Sequence, residues 1–168
     1  NFKSPHGLDM DGHYTTAYDL AVITSYALKN PVFAEIVRTK HANIGYTTLN
    51  NTNEMLSIYP GADGVKTGYT GKAGRCLVTS ATRDGWQIIS VVLGCPTRHA
   101  RAESSKVILD YAFENYKPYV FINKGDKIKT LKVIKGVESN VDVLAMDEIV
   151  FPLKEDEKEK VEMYIELP

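Results

Sequence analysis

Lys66, Thr67 and Gly68 place an ammonium, a hydroxyl and a residue without a side chain in consecutive positions, inside the glycine-rich stretch DGVKTGYTGKAG (63–74). A lysine-threonine pair flanked by glycine is most often a simple turn. On a strand it has a second use. Lys66 can project its ammonium into a cleft while Thr67 offers a hydroxyl through the strand edge. Gly68 keeps the next position clear, so that a ligand backbone can lie alongside as an added strand. Cation and hydroxyl together suit a carboxylate, and such an edge can form one wall of an acyl-transfer site. That chemistry also needs a nucleophile activated by a neighbouring base.

The elements that must position these residues are legible on both sides. Residues 75–82 and 86–95 read as strands joined by Arg83-Asp84-Gly85, and Asp-Gly is a strong hairpin signal. The second run, WQIISVVLGC, is almost continuously apolar, which predicts a strand covered on both faces. Residues 97–116 form a helical pattern with Ala100, Val107, Ile108, Tyr111 and Ala112 as its stripe, closed by Lys117-Pro118. Upstream, residues 1–11 are rich in Gly, Pro and Asp and read as loop. Thr15 or Thr16 can cap a helix over 16–29, with Asp19 in its first turn and a broad apolar face that includes Leu20, Ile23, Thr24 and Leu28. Asn30-Pro31 ends it and opens a short helix over 32–38. Residues 41–49 are β-branched and aromatic enough for a strand or hairpin, and NNTNEM is polar punctuation.

Beyond Pro118 the pattern changes. YVFIN, KIKTLKVI, VDVLAM and KVEMYIEL are short β-prone runs with turns such as Lys124-Gly125-Asp126, which predicts an all-β module of about 50 residues, near the lower limit for independent folding. The charge run KEDEKEK (154–160) reads as a solvated turn between two strands. The expected organisation is α+β, with one domain over 1–117 and a small β-rich domain over 118–168.

Composition narrows the function classes. Of 168 residues, 43% are hydrophobic and 24% charged, as in an ordinary globular protein. The formal net charge of −1 gives no whole-chain attraction to nucleic acid. No apolar run approaches the roughly 18 residues of a membrane span. His6, His13, His41 and His99 lack metal-ligand spacing, and Asp9, Asp11 and Gly12 match only part of a calcium loop and read better as the turn before the first helix. Neither a metal nor a cofactor is expected. Tyr111, Phe113, Tyr116, Tyr119 and Phe121 read as core and junction packing. Cys76 and Cys95 fall near each other across the predicted hairpin. That geometry permits a disulfide, although cross-strand bonds are often strained, and free buried thiols are the expectation. The chain opens at Asn1 without an initiator Met, which suggests a processed product or a piece of a longer chain.

A Lys-Thr-Gly leading into a hairpin and a long helix has the setting of the third motif of penicillin-recognising enzymes. The blocks GLDMDGHYTTAYDLA, PGADGVKTGYTGKAGRCLVTSA and IISVVLGCPTRHARAESSKVILDYAF resemble, in order, those of the serine D-alanyl-D-alanine carboxypeptidases, low-molecular-mass penicillin-binding proteins that remove the terminal D-alanine from peptidoglycan stem peptides. The likeness covers residue 7 to about residue 116, and the tail resembles the family's small C-terminal domain. It implies the C-terminal half of a β-lactamase/DD-peptidase-like domain (an antiparallel sheet plus helices) followed by a small all-β domain. By the resemblance, Lys66 is the catalytic residue present here, supporting the general-base network and the substrate carboxylate. Thr67 would hydrogen-bond that carboxylate, and the strand at Gly68-Tyr69 would align the peptide and supply a backbone N–H to an oxyanion hole. Arg101, in TRHAR, matches the family arginine that helps bind the carboxylate, and Arg98 is a second candidate. The family often has histidine where Tyr69 stands, so no role for that ring carries over. The partners implied are stem peptide and β-lactams, outside the cytoplasm and peripheral to the membrane. Membrane contact would come through a C-terminal amphipathic segment that these residues do not show.

The resemblance also marks what these residues lack. The family nucleophile sits in Ser-x-x-Lys, with a Ser-x-Asn on the opposite wall, and neither pattern occurs. Ser104-Ser105-Lys106 comes nearest with the wrong spacing. Residues 1–168 alone are therefore expected not to form an acyl-enzyme. They are also expected to self-associate through an uncovered apolar face and an open sheet edge. A class A-like β-lactamase shares the motifs but is expected to end near the helix over 97–116. A non-catalytic spacer or interaction module is the alternative of a different kind.

Overall fold

The first helix starts where its cap dictates. Thr16 Oγ1 accepts the Asp19 N–H at 3.0 Å, and α1 runs Ala17–Leu28. Asn30 caps the next helix by accepting from the N–H groups of Val32 and Phe33, and Pro31 opens α2, Pro31–Arg38. The hairpin β1 (His41–Ile44) and β2 (Thr47–Asn50) follows. The structure is a computed structural model that describes residues 1–164 and residue 166. It divides into two compact units, Asn1–Ala112 and Phe113–Pro168.

NNTNEM is more than punctuation. It runs into a single helical turn, α3 (Met55–Ile58), and Met55 and Leu56 are in the core. Four residues are too few for periodicity to reveal a helix, which is why the pattern conceals it. The central sheet comes next: β3 (Ala62–Thr70), β4 (Gly74–Arg83) and β5 (Trp86–Cys95), antiparallel in that spatial order. Asp84 and Gly85 take positive φ of 51° and 78°, the turn that Asp-Gly favours between β4 and β5. Gly61 is required by space. Its φ is 83°, and a Cβ there would lie 2.5 Å from the Thr82 carbonyl oxygen.

The expectation of a strand covered on both faces is misplaced by one strand. Five successive residues of β4, from Leu77 to Ala81, are buried, whereas β5 buries only Ser90 and Val92. β4 is the middle strand, so both of its faces and both of its edges are occupied, while β5 has a strand on one side only. Helix α1 lies against β5 and α2 against β3. α1 still leaves Tyr18, Val22 and Tyr26 exposed, and Ile36, Ile44, Tyr46 and Leu49 are exposed nearby in sequence. Helix α4 (Arg98–Asn115) buries Arg101, Ala102, Ser105 and Leu109.

In the second unit, β6 (Lys117–Ile122) and β7 (Lys127–Lys132) fall on YVFIN and KIKTLKVI, and β8 (Asn140–Leu144) on VDVLAM. The partner of β6 is β9, Ile149–Leu153, which the pattern hides because Pro152 interrupts it. In a two-stranded pairing that proline sits on an edge, where its missing donor is tolerated. β7 pairs with β8. The charge run ends in a single 3₁₀ turn, Lys158–Lys160, and residues 161–164 have no regular structure. The rest of the strand expected in KVEMYIEL includes Ile165, Leu167 and Pro168, which lie outside the described residues. Ile122 is this unit's one buried residue among those described. Its ion pairs, Lys117–Glu155 and Lys127–Asp142 among them, are exposed and contribute little.

Candidate active site

β3 pairs with β4 on one side and, among the described residues, with no strand on the other. The register sets Lys66 opposite Val78, Thr67 opposite Leu77, Gly68 opposite Cys76 and Tyr69 opposite Arg75. Side chains alternate along a strand, so Lys66 and Gly68 share one face and Thr67 and Tyr69 the other. Lys66, Gly68 and Tyr69 are exposed and Thr67 is half-buried. A Cβ at Gly68 would meet only the Cys76 Cβ, at 3.7 Å, so the position is open along its edge.

Just ahead of this open segment the strand is clamped. The Asp63 carboxylate accepts from Ser80 Oγ, from Thr82 Oγ1 at 2.5 Å and from Gln87 Nε2 at 3.0 Å, tying β3 to both of the other strands. From the opposite edge, the buried Asn53 donates through Nδ2 to the Gly64 carbonyl at 2.8 Å. Past the motif, Thr70 Oγ1 donates to Asp9 Oδ1 at 2.8 Å and accepts from the Ala73 N–H at 3.0 Å. Arg75 stacks over the Tyr69 ring, 4.3 Å from its centroid. Lys66 Nζ turns back to donate to the Thr67 carbonyl.

Arg101 sits behind this wall, 2% exposed. It meets Glu54 bidentately, Nη2 to Oε2 at 2.8 Å and Nε to Oε1 at 3.1 Å. It also donates to the carbonyls of Cys76 at 3.4 Å and Thr52 at 3.5 Å. Thr52 Oγ1 in turn lies 2.7 Å from Thr67 Oγ1. The guanidinium expected to grip a ligand carboxylate is therefore engaged by a carboxylate of the chain itself. Burial raises the Glu54 carboxyl, but the hydrogen bond from Arg101, a backbone hydrogen bond and the charges of Arg101 and Arg98 outweigh it, and the net displacement is downward. Arg98, the second candidate, is exposed and lines a depression of about 360 Å³ with Asn51, Thr52, Glu54, His99 and Ala102.

The sequence brings Lys66, Thr67, Gly68 and Tyr69 to one strand edge and Arg101 behind it. It does not reveal Thr52, Asn53, Glu54 or Asp63. Asp63 lies three residues ahead of Lys66 on the same strand, but an aspartate near the start of a strand carries no signal of three side-chain donors. Cys76 and Cys95 are free. The register pairs Cys95 with Arg75, and an irregularity follows between Arg75 and Leu77. Cys76 Sγ instead points a weak donor at the Ala73 carbonyl, 3.7 Å away. Among the described residues no group of three or more His, Cys, Asp or Glu is placed to hold a metal.

Lys-Thr-Gly is a motif of penicillin-recognising enzymes, and here it lies on an outer strand of a helix-backed antiparallel sheet. Residues 1–97 match the family described as D-alanyl-D-alanine carboxypeptidase, and residues 113–168 match the C-terminal domain of penicillin-binding protein 5. The chain belongs to the D-alanyl-D-alanine carboxypeptidase family. It is 34% identical over 162 residues to the D-alanyl-D-alanine carboxypeptidase DacF of Bacillus subtilis, covering 94% of this chain and 42% of DacF. It is 31% identical over 170 residues to DacA of Haemophilus influenzae, covering 99% of this chain and 43% of DacA. Among solved structures, penicillin-binding protein 5 of Haemophilus influenzae superposes with a TM-score of 0.82 at 31% identity, over 95% of this chain and 47% of that one. A mutant of the Streptomyces K15 DD-transpeptidase gives 0.62 at 37% identity, over 63% of this chain and 45% of that one. The chain thus spans less than half the length of each of these relatives.

The lowered Glu54 carboxyl has a consequence for stability. A carboxyl displaced downward by folding stabilises fully above its unfolded value of about 4.3, and that stabilisation is lost as pH falls through the lower folded value. Urea unfolding of the chain should show this loss setting in as pH falls below about 4.3 and complete once pH is below the lower folded value. Glu54→Gln should cost about 3 kcal/mol at neutral pH, because it strands a buried guanidinium, and should flatten the acid-side slope. An unchanged slope in the variant would show that the pair contributes nothing.

Proposed function

We propose that the whole protein is a serine-type D-Ala-D-Ala carboxypeptidase that removes the terminal D-alanine from peptidoglycan stem peptides and is acylated by β-lactams. The observation that carries this reading is the edge of β3 that faces away from β4, where, among the described residues, no strand pairs with Lys66, Thr67 and Gly68, within a chain of this family. In the reaction, a serine hydroxyl supplied by the family's Ser-x-x-Lys attacks the carbonyl between the two D-alanines and gives up its proton. The amide C–N bond breaks, the terminal D-alanine departs with a proton on its nitrogen, and water then hydrolyses the ester. On this reading the Lys66 ammonium and the Thr67 hydroxyl receive the substrate carboxylate. The peptide lies along Gly68-Tyr69 as an added strand, and the Tyr69 N–H helps hold the developing oxyanion. The proposed site set is Lys66, Thr67, Gly68 and Tyr69, with Arg101 behind it. As placed, Arg101 supports the wall, and reaching a ligand would require it to leave Glu54, so the exposed Arg98 is the more accessible cation.

The protein would work outside the cytoplasm at the membrane surface, where stem peptides are. Among the described residues no single helix is long and apolar enough to cross a membrane. The β-lactamase alternative loses ground to the C-terminal domain matched over residues 113–168. A spacer or interaction role suits that second unit, which is compact in itself, and it complements the catalytic reading.

Two measurements test this. Fluorescent penicillin should label a chain that joins these residues to the Ser-x-x-Lys and Ser-x-Asn motifs, and Lys66→Ala should slow that labelling at least about 100-fold. Residues 1–168 alone should not label, and covalent labelling of them would overturn the assignment of the nucleophile. The exposed apolar residues of α1 and its neighbours predict that residues 1–168 self-associate, seen as concentration-dependent sedimentation above the monomer. A clean monomer at all concentrations would contradict this.

A further inference from the structure

We propose that Thr52 is a positioning residue for Thr67, completing a relay of two hydroxyls that turns the Thr67 proton toward a ligand carboxylate. This rests on the reading above, in which Thr67 receives the C-terminal carboxylate of a peptide. A threonine hydroxyl has one proton and two acceptor positions. With Thr67 Oγ1 and Thr52 Oγ1 2.7 Å apart, either can donate to the other. A carboxylate can only accept. When it arrives, the arrangement that satisfies all three groups has Thr52 donating to Thr67 and Thr67 donating to the ligand. Each bond in such a chain polarises the next. Without the Thr52 hydroxyl, Thr67 loses the donor that holds its own proton outward.

What distinguishes Thr52 from an ordinary surface threonine is how firmly its backbone is held. Asn51 Nδ2 donates to the carbonyls of Thr39 at 3.0 Å and Val37 at 3.4 Å, and its Oδ1 accepts the Asn53 N–H at 3.0 Å. On the other side, Asn53 is tied to the Gly64 carbonyl and Glu54 to Arg101. Arg101 also donates to the Thr52 carbonyl itself. Thr52 is therefore set against the same strand that carries Thr67 by partners on α2, β3 and α4. Arg101 acts on the carboxylate site through Thr52 in this arrangement, with no need to touch the ligand.

The test uses a chain that carries residues 1–168 together with the family's Ser-x-x-Lys and Ser-x-Asn motifs, assayed on a peptide ending in D-Ala-D-Ala. Thr52→Val keeps the volume and removes the hydroxyl, and Thr52→Ser restores it. For Thr52→Val, KM should rise about three- to tenfold with kcat within about twofold of the parent, the signature of lost uniform binding. Thr52→Ser should recover most of the parent KM, and the melting temperature should stay the same in both variants. An unchanged KM in Thr52→Val would overturn the proposal. So would a fall in kcat together with melting temperature, which marks a merely structural role, or a Thr52→Ser variant as impaired as the valine. If the parent chain releases no D-alanine at all, it is the carboxypeptidase reading that fails.

Discussion

A guanidinium taken out of water is costly unless it is fully paired, and the wall of this site is organised around that constraint. Arg101 is buried, so its partners must come to it. Glu54 supplies two oxygens, Thr52 and Cys76 one carbonyl each, and these groups belong to two separate stretches of chain besides the helix that carries Arg101. Satisfying one side chain therefore fixes α4, the segment before α3 and β4 with respect to one another. Thr52 and, beside it, Thr67 take their places as a consequence. A lysine at position 101 would keep the charge but could not span this set, because the planar fork matches a carboxylate on one side and carbonyls on the other.

The same wall must leave an edge open. An unpaired strand edge invites association, and proteins usually blunt it with charge, bulges or cover. β3 uses all three, unevenly along its length. Its first half is bulged between Ala62 and Gly64, clamped through Asp63 and covered by Asn53. Its second half is left accessible, with the exposed Lys66 as the charge that discourages an unwanted strand. Rigid anchoring before the motif and openness within it suit the peptide-aligning role proposed for this edge.

Local chemistry made much of this fold legible. Thr16, Asn30-Pro31 and Asp84-Gly85 each act within three residues, and each appears where the pattern places it. The family likeness made the motif legible too, by lifting Lys66 and Thr67 above the background of ordinary Gly-flanked turns. What stayed hidden depends on distance or on topology. Glu54 and Arg101 are 47 residues apart, and nothing in either neighbourhood announces the other. Which of two apolar strands is covered on both faces depends on which lies in the middle, and periodicity carries no such information. α3 is too short for a helical period, and Pro152 masks β9. The substrate role expected of Arg101 comes from the family likeness, and its burial against Glu54 is a fact only three dimensions supply.

Amide hydrogen exchange of the Arg101→Met variant against the parent tests the central claim most directly, because it reads the wall residue by residue. If Arg101 organises the wall, protection should fall selectively over residues 52–58 and 66–69, while residues 88–92 of the hairpin keep theirs. Equal protection in both proteins, or a uniform loss across the whole sheet, would contradict the account.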